Sequence, residues 1–170
     1  MGISSPDNIS MIIVAKFIKY IMENTSTAVK PIPEGYHTIT PFLVLENAAG
    51  FIKFLKKAFH AQLSYLMEAE DGLIRHAELK IGDSVIMLSS AMEHNKPMSA
   101  MLMLYVEDCD QVYEQALKAG AESISEPANQ FYGDRSGGVK DSWGNQWWIA
   151  THVEDVSSEE VSRRASELKN

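Results

Sequence analysis

The chain has 170 residues, enough for one domain or for two small modules that share a core. With 45% hydrophobic and 22% charged residues, it has the balance of an ordinary globular protein. The formal net charge of −8 disfavours binding to nucleic acid or to an anionic membrane surface. The single cysteine, Cys109, excludes an internal disulfide and predicts a reducing, cytoplasmic location.

The most apolar stretch lies near the N-terminus, at residues 11–22. It is too short to span a membrane and is interrupted by Lys16 and Lys19. Within it, Ile13, Phe17, Ile18 and Ile21 share one helical face, which predicts an amphipathic helix packed on the main body or on a partner subunit. A membrane-surface helix and a poorly ordered extension are the alternatives. Thr, Ser, Pro and Gly in residues 24–35 indicate a linker, so we expect an N-terminal extension and linker over 1–35.

Two segments of the chain repeat one pattern, in which a short apolar strand precedes an amide or acidic residue and an amphipathic helix. Asn47 aligns with Asp108, an offset of 61 residues, and both are suitable helix N-caps. Gly120 suits the left-handed residue that ends the second helix. His60 occupies the matching region of the first copy, where a positive φ is less comfortable.

Three strands follow each predicted helix. They are expected at residues 62–68, 74–81 and 84–90 in the first copy, and at 123–126, 135–141 and 146–152 in the second. The order β-α-β-β-β, twice, predicts an α+β fold with one domain over 36–156. This domain contains module one at 36–92 and module two at 98–152. Ser157 and Glu160 have the spacing of a capping box, which predicts a helical tail over 157–170.

Three longer strings narrow the interpretation to a known family. They are TPFLVLENAAGFIKFLKKAF, HAELKIGDSVIMLS and FYGDRSGGVKDSWGNQWWIATHVEDVS. They resemble the PhnB-like glyoxalase/bleomycin-resistance protein/dioxygenase branch of the vicinal oxygen chelate superfamily, over about residues 36–156. This resemblance implies the glyoxalase/bleomycin-resistance fold, in which two modules form a curved mixed sheet around a cavity. It also implies a homodimer.

Metal-dependent members of that superfamily hold a divalent cation with His, Gln or Glu on the first and last strands of each module. Aligned by the repeat, those four positions are Thr40, Met87, Met101 and Trp148. Thioether and indole groups are poor ligands for a hard cation, and the adjacent residues are apolar. We therefore expect no metal ion and no cofactor.

Strand geometry places further side chains on the cavity face. Counting back from the first hairpin turn puts Glu78 opposite Met87, with His76 on the same face. The 61-residue offset puts Arg135 at the cavity mouth. The ligand-binding candidates are Thr40, Phe42, His76, Glu78, Met87, Met101, Met103, Tyr105, Arg135 and Trp148.

These residues are compatible with three functions. The first is metal-independent binding of an apolar or aromatic small molecule in a cavity of Met and aromatic side chains. The second is a lyase, isomerase or dioxygenase-type enzyme with Glu78 as general base and His76 as acid or orienting partner. The third is a ligand-free dimeric interaction module. A purely structural His76–Glu78 hydrogen bond also fits, as does a structural pairing of Arg135 with Asp134, Asp141 or a neighbouring loop.

Overall fold

The computed structural model describes Lys16 and residues 29–168. The described residues fall into two units, Lys16 with residues 29–34 and residues 35–168. The helix expected over residues 11–22 lies outside the described residues except at Lys16, which is helical and exposed. In the first unit, residues 29–34 form neither helix nor strand. Within the described part of the chain, no helix is both long and apolar enough to cross a membrane.

The second unit contains two βαβββ modules and a C-terminal helix, so the predicted α+β architecture is confirmed. The elements are β1 (Phe42–Leu45), α1 (Ala48–Phe59), β2 (Gln62–Glu68), β3 (Ile74–Ile81), β4 (Ser84–Ser90), β5 (Met101–Tyr105), α2 (Cys109–Lys118), β6 (Glu122–Asn129), β7 (Asp134–Lys140), β8 (Gln146–His152) and α3 (Ser158–Glu167). Two elements differ from the prediction. Strand β6 is longer, and β7 begins and ends one residue earlier.

Each module forms its own four-stranded mixed sheet. The strand order is β1-β4-β3-β2 in the first sheet and β5-β8-β7-β6 in the second. In each sheet the first and last strands of the module are parallel neighbours, and the other pairs are antiparallel. Leu43, Leu45 and Leu88 are buried on one face of the first sheet, and Val139 and Ile149 on one face of the second. We call the opposite face of each sheet, away from this helix-packed core, its uncovered face.

Local signals at the helix ends agree with the sequence. Asn47 caps α1 by accepting the backbone N–H of Gly50, and Asp108 caps α2 by accepting that of Gln111. Gly120 has a φ of 107°, as expected for the residue after α2. His60 ends α1 with a φ of 52°, the strained position that the repeat predicted.

The loop between β7 and β8 joins the two modules on the helix-packed side. The Trp143 indole N–H donates to the backbone carbonyl of Glu46 at 2.6 Å, and its ring lies 5.1 Å from that of Phe51 in α1. The rings of Phe59 and Trp147 are 4.6 Å apart. Because these aromatic pairs combine large apolar area with fixed geometry, they hold the two modules in one core.

Candidate functional site

The uncovered face of the first sheet carries one row of side chains that crosses all four strands. Phe42 pairs with Met87, Met87 with Glu78, and Glu78 with Tyr65. Cross-strand partners share a face, so these four residues, which we call the Glu78 row, lie side by side. Phe42 and Tyr65 are each 47% exposed. The structure thus brings together three of the predicted site residues, and His76 lies on β3 beside them.

Glu78 is held at the centre of this row by two hydrogen bonds. The Tyr36 hydroxyl donates to Oε2, and His76 Nε2 lies 3.0 Å from Oε1. The Tyr36 bond, followed by the His76 bond, lowers the pKa of Glu78, while the same carboxylate raises the pKa of Tyr36. The rings of Phe42 and Tyr65 lie 5.8 and 5.9 Å from the His76 ring. The result is an ionised carboxylate surrounded by aromatic side chains.

Tyr36 is a site residue that the sequence analysis missed. It lies before β1, in a segment without strand or helix, and reaches Glu78 from 42 positions away. No local periodicity reports such a contact, so the sequence offered no signal for it.

The uncovered face of the second sheet is more apolar. Met101 and Tyr105 are 67% and 62% exposed, and Met103 pairs with Trp148 on the neighbouring strand. Trp148 also pairs with Gly138 on β7. The second module therefore presents methionine and aromatic surface where the first presents a carboxylate.

The predicted position of Arg135 at the cavity mouth is wrong. Its guanidinium faces α2, where Nε and NH2 each lie 2.6 Å from a carboxylate oxygen of Asp110. Glu78 pairs with Met87, whereas Gly138 pairs with Trp148, so the repeat offset is 61 in the last strands but 60 in β7. A shift of one residue exchanges the two faces of a strand, which moves Arg135 to the helix-packed side.

Loop length explains this change in register. The first hairpin has two loop residues, and the second has five, 141–145. Asp141 closes the longer loop because Oδ1 accepts the backbone N–H groups of Trp143 and Asn145 while Oδ2 accepts the indole N–H of Trp147. The sequence prediction assigned Asp141 to the strand and so miscounted the loop.

The corrected register reveals a second polar cluster on the uncovered face of module two. Asp134 is 4% exposed and accepts from the Tyr105 hydroxyl at 2.9 Å and from His152 Nδ1 at 2.8 Å. His152 Nε2 lies 3.0 Å from Asp155 Oδ1. Hydrogen bonds to Asp134 and then Asp155 raise the pKa of His152, and the bond to Asp134 raises the pKa of Tyr105. The alternation of side chains along β5 predicted that Tyr105 lies on this face. Asp134 was not predicted there, because the register assumed for β7 was off by one residue.

The four positions aligned with a metal site do not form a set of ligands for a hard cation. Thr40 precedes β1 and its hydroxyl donates to the His37 carbonyl at 3.1 Å. Met87, Met101 and Trp148 offer two thioethers and an indole, which do not fit a divalent cation that prefers oxygen or imidazole. Within Lys16 and residues 29–168, no group of three or more His, Cys, Asp or Glu side chains could hold a metal ion.

An apolar cavity of about 510 Å³ lies apart from the Glu78 row. It is bounded by the β3–β4 hairpin, by strand β5 and by residues before β1, including Ile39. Met103 and Tyr105 reach it, but Glu78, Met87 and Trp148 do not line it. The Glu78 row and this cavity therefore share no residue, so variants can distinguish a ligand bound at one from a ligand bound at the other.

The fold is that of a known class of proteins. A family model described as the Glyoxalase/Bleomycin resistance protein/Dioxygenase superfamily matches residues 37–149, and the chain belongs to this superfamily. The resemblance read from the sequence is confirmed.

Individual proteins and solved structures are also similar to this chain. An uncharacterized protein of Mycobacterium bovis is 31% identical over 139 residues, which cover 75% of this chain and 91% of the relative. The structure of TioX from Micromonospora sp. ML1 has a TM-score of 0.60 at 21% identity, over 69% of this chain and 99% of its own. A putative 3-demethylubiquinone-9 3-methyltransferase, PhnB protein, from Bacillus cereus has a TM-score of 0.57 at 18% identity, over 68% and 99% of the two chains. These structures share the fold.

Proposed function

We propose that this chain binds an apolar or aromatic small molecule on the uncovered faces of its sheets, without a metal ion. The main support for this proposal is the Glu78 row. Its large apolar side chains are half-exposed in a line across the sheet, and they flank a fixed polar group. Apolar surface with a few placed polar groups is typical of small-molecule sites. The methionines of the second sheet add a surface that adapts to ligand shape.

The chemistry of Glu78 favours binding over catalysis. A general base works best when its pKa is near the working pH. Hydrogen bonds from Tyr36 and His76 instead lower the pKa of Glu78 and make it a weaker base. We therefore propose that Glu78 and His76 position a ligand, and we do not assign them to a lyase, isomerase or dioxygenase reaction.

The proposal includes a homodimer in the cytoplasm. The resemblance to the superfamily implies the homodimer, and a second copy would shield exposed apolar side chains outside the ligand site, such as Val153, which is 55% exposed. Cys109 is a free, buried thiol, which is compatible with a reducing compartment. Native mass spectrometry of the protein from its own host reports subunit number, bound organic mass and bound metal together. One transition-metal ion held tightly per chain would refute metal-independent binding.

A neutral aromatic dye tests where the ligand binds. The probe is 2-(4-dimethylaminophenyl)-6-methylbenzothiazole, titrated against the full chain and followed by its own fluorescence. Phe42→Ala should weaken dye binding by about tenfold, because it removes a ring from the Glu78 row. Ile39→Ala is the matched control, since Ile39 lines the separate apolar cavity. A loss with Ile39→Ala but not with Phe42→Ala would place the ligand in that cavity and contradict the proposal.

A further inference from the structure

The two modules differ in charge at equivalent places on their uncovered faces. Module one has Glu78 opposite Met87, and module two has Gly138 opposite Trp148. The carboxylate of module two, Asp134, lies instead against His152 at the end of β8. The side chain of Asp134 is only 5% exposed, against 17% for Glu78, so the carboxylate of module two is less accessible to a ligand. The uncovered face of module one is where a carboxylate lies amid aromatic rings.

Glu78 retains the capacity to bind a ligand. Each of its oxygens accepts one hydrogen bond, from Tyr36 or from His76, whereas a carboxylate offers about four acceptor sites. Its side chain is 17% exposed, so it is partly desolvated but accessible. Attraction between charges is stronger at such a site than in bulk water.

The aromatic rings near Glu78 also favour a positively charged ligand. The faces of Phe42 and Tyr65 carry the negative part of the aromatic quadrupole, which attracts cations. Both residues belong to the Glu78 row, with Met87 between Phe42 and Glu78. Their rings lie 5.8 and 5.9 Å from the ring of His76, which is hydrogen-bonded to Glu78. The net charge of −8 raises the local concentration of cations further.

We infer that module one takes a cationic aromatic ligand, such as an aryl ammonium or an N-alkylated heterocycle, with the cationic group at Glu78. This inference rests on the proposed function and adds the charge of the ligand to it. The flat body of the ligand lies along the Glu78 row, toward Phe42 or Tyr65. Neighbouring strands are about 4.8 Å apart, so a row across four strands accommodates a body of roughly 14 Å.

A pair of dyes that differ by one methyl group and one charge tests the inference. Thioflavin T is the N-methylated cation of the neutral benzothiazole described above. We expect the full chain to bind thioflavin T at least about fivefold more tightly than the neutral dye. Glu78→Gln keeps the shape and should weaken thioflavin T binding by about tenfold while changing neutral-dye binding by less than about twofold.

Two further variants control this experiment. Glu122→Gln removes one exposed carboxylate from β6, so it makes the same change in net charge at a remote place and should leave both affinities unchanged. Phe42→Leu keeps an apolar side chain but removes the ring, and it should reduce thioflavin T binding more than neutral-dye binding. Circular dichroism verifies that each variant is folded.

The outcomes separate the inference from the proposed function. Equal affinity for the two dyes, or an equal loss of both in Glu78→Gln, overturns the inference and leaves small-molecule binding intact. A cation preference that persists in Glu78→Gln also overturns it, because the charge would lie elsewhere. If neither dye binds the full chain, the proposed function fails and the inference fails with it.

Discussion

The six-membered ring of Trp148 lies against the backbone of its cross-strand partner Gly138. A β-carbon at Gly138 would be 3.3 Å from three ring carbons, Cε3, Cζ3 and Cη2. Such a separation is shorter than comfortable van der Waals contact, so the indole would have to shift. The missing side chain at Gly138 therefore determines how Trp148 lies on the uncovered face.

Gly138→Ala should displace Trp148 and leave the other indoles in place. With 5-fluorotryptophan labelling, we expect the ¹⁹F resonance of Trp148 to move while those of Trp143 and Trp147 stay unchanged. Assignment comes from single Trp→Phe variants. An unchanged Trp148 resonance would show that the ring does not rest on Gly138.

Asp141→Asn should destabilise the protein by about 3 kcal/mol or more. Each carboxylate oxygen of this buried residue accepts two N–H groups. Oδ1 accepts the backbone N–H groups of Trp143 and Asn145, and Oδ2 accepts the side-chain amide of Asn145 and the indole N–H of Trp147. An amide places an NH₂ group against two of these donors. Urea unfolding measures the loss. The control is Asp108→Asn, at an exposed N-cap where Asn is equally suitable, and it should be nearly neutral.

Gly133→Ala should cost much more stability than Gly72→Ala. Both glycines have positive φ, of 100° and 78°, so both substitutions carry backbone strain. Only at Gly133 would the new β-carbon collide with another part of the chain, 2.1 Å from the carbonyl oxygen of Glu154. In thermal unfolding we expect a midpoint at least about 5 °C lower for Gly133→Ala than for Gly72→Ala. Equal midpoints would contradict the close packing of residues 133 and 154.

Tyr36→Phe should raise the pKa of Glu78, because the Tyr36 hydroxyl is the main group that lowers it. A carboxyl with a depressed pKa stabilises the folded state above its ordinary value of 4.5, and this contribution is lost as the pH falls through the folded-state pKa. The variant should therefore be less stable than the natural protein at pH 7, with the difference shrinking in acid. Carboxyl NMR titration and urea unfolding across pH measure both effects.

Tyr113→Phe is the control for this pH dependence. The Tyr113 hydroxyl donates to Ser123 Oγ at 2.6 Å, a neutral acceptor that does not titrate in this range. Its loss should lower stability by an amount that does not change between pH 3 and pH 7. Parallel pH profiles for Tyr36→Phe and Tyr113→Phe would argue against the charged Tyr36–Glu78 bond.

Ser89→Ala should be neutral or stabilising by up to about 1 kcal/mol. Within the described part of the chain, Ser89 Oγ is the buried side-chain oxygen that has no hydrogen-bond partner. Removing it takes away an unsatisfied polar group. The adjacent Ser90 Oγ accepts the backbone N–H of Ile74 at 3.0 Å, so Ser90→Ala should instead destabilise by about 1 kcal/mol. Urea unfolding measures the free energy of unfolding of both variants, and an equal loss in the two would contradict the unpaired state of Ser89 Oγ.

Short sequence patterns were sufficient to predict most of the helices and strands. Helix caps at Asn47 and Asp108 depend on side chains within three residues, and the two-residue turn at Gly82-Asp83 set the pairing of Glu78 with Met87. The predicted register of the second hairpin was wrong, because the length of its loop depends on hydrogen bonds that Asp141 makes within the folded loop. One miscounted residue was enough to assign Arg135 to the wrong face.

The sequence alone predicted the two modules and their order from a repeated pattern, and the superfamily from a resemblance to known members. It also predicted that His76 and Glu78 lie on one face of a strand, because they are two residues apart. Only the tertiary structure decided that Tyr36 reaches Glu78 and that Asp134 meets Tyr105 and His152. Those contacts join residues distant in the chain, and the geometry that brings them together arises from packing and strand register, which no local periodicity encodes.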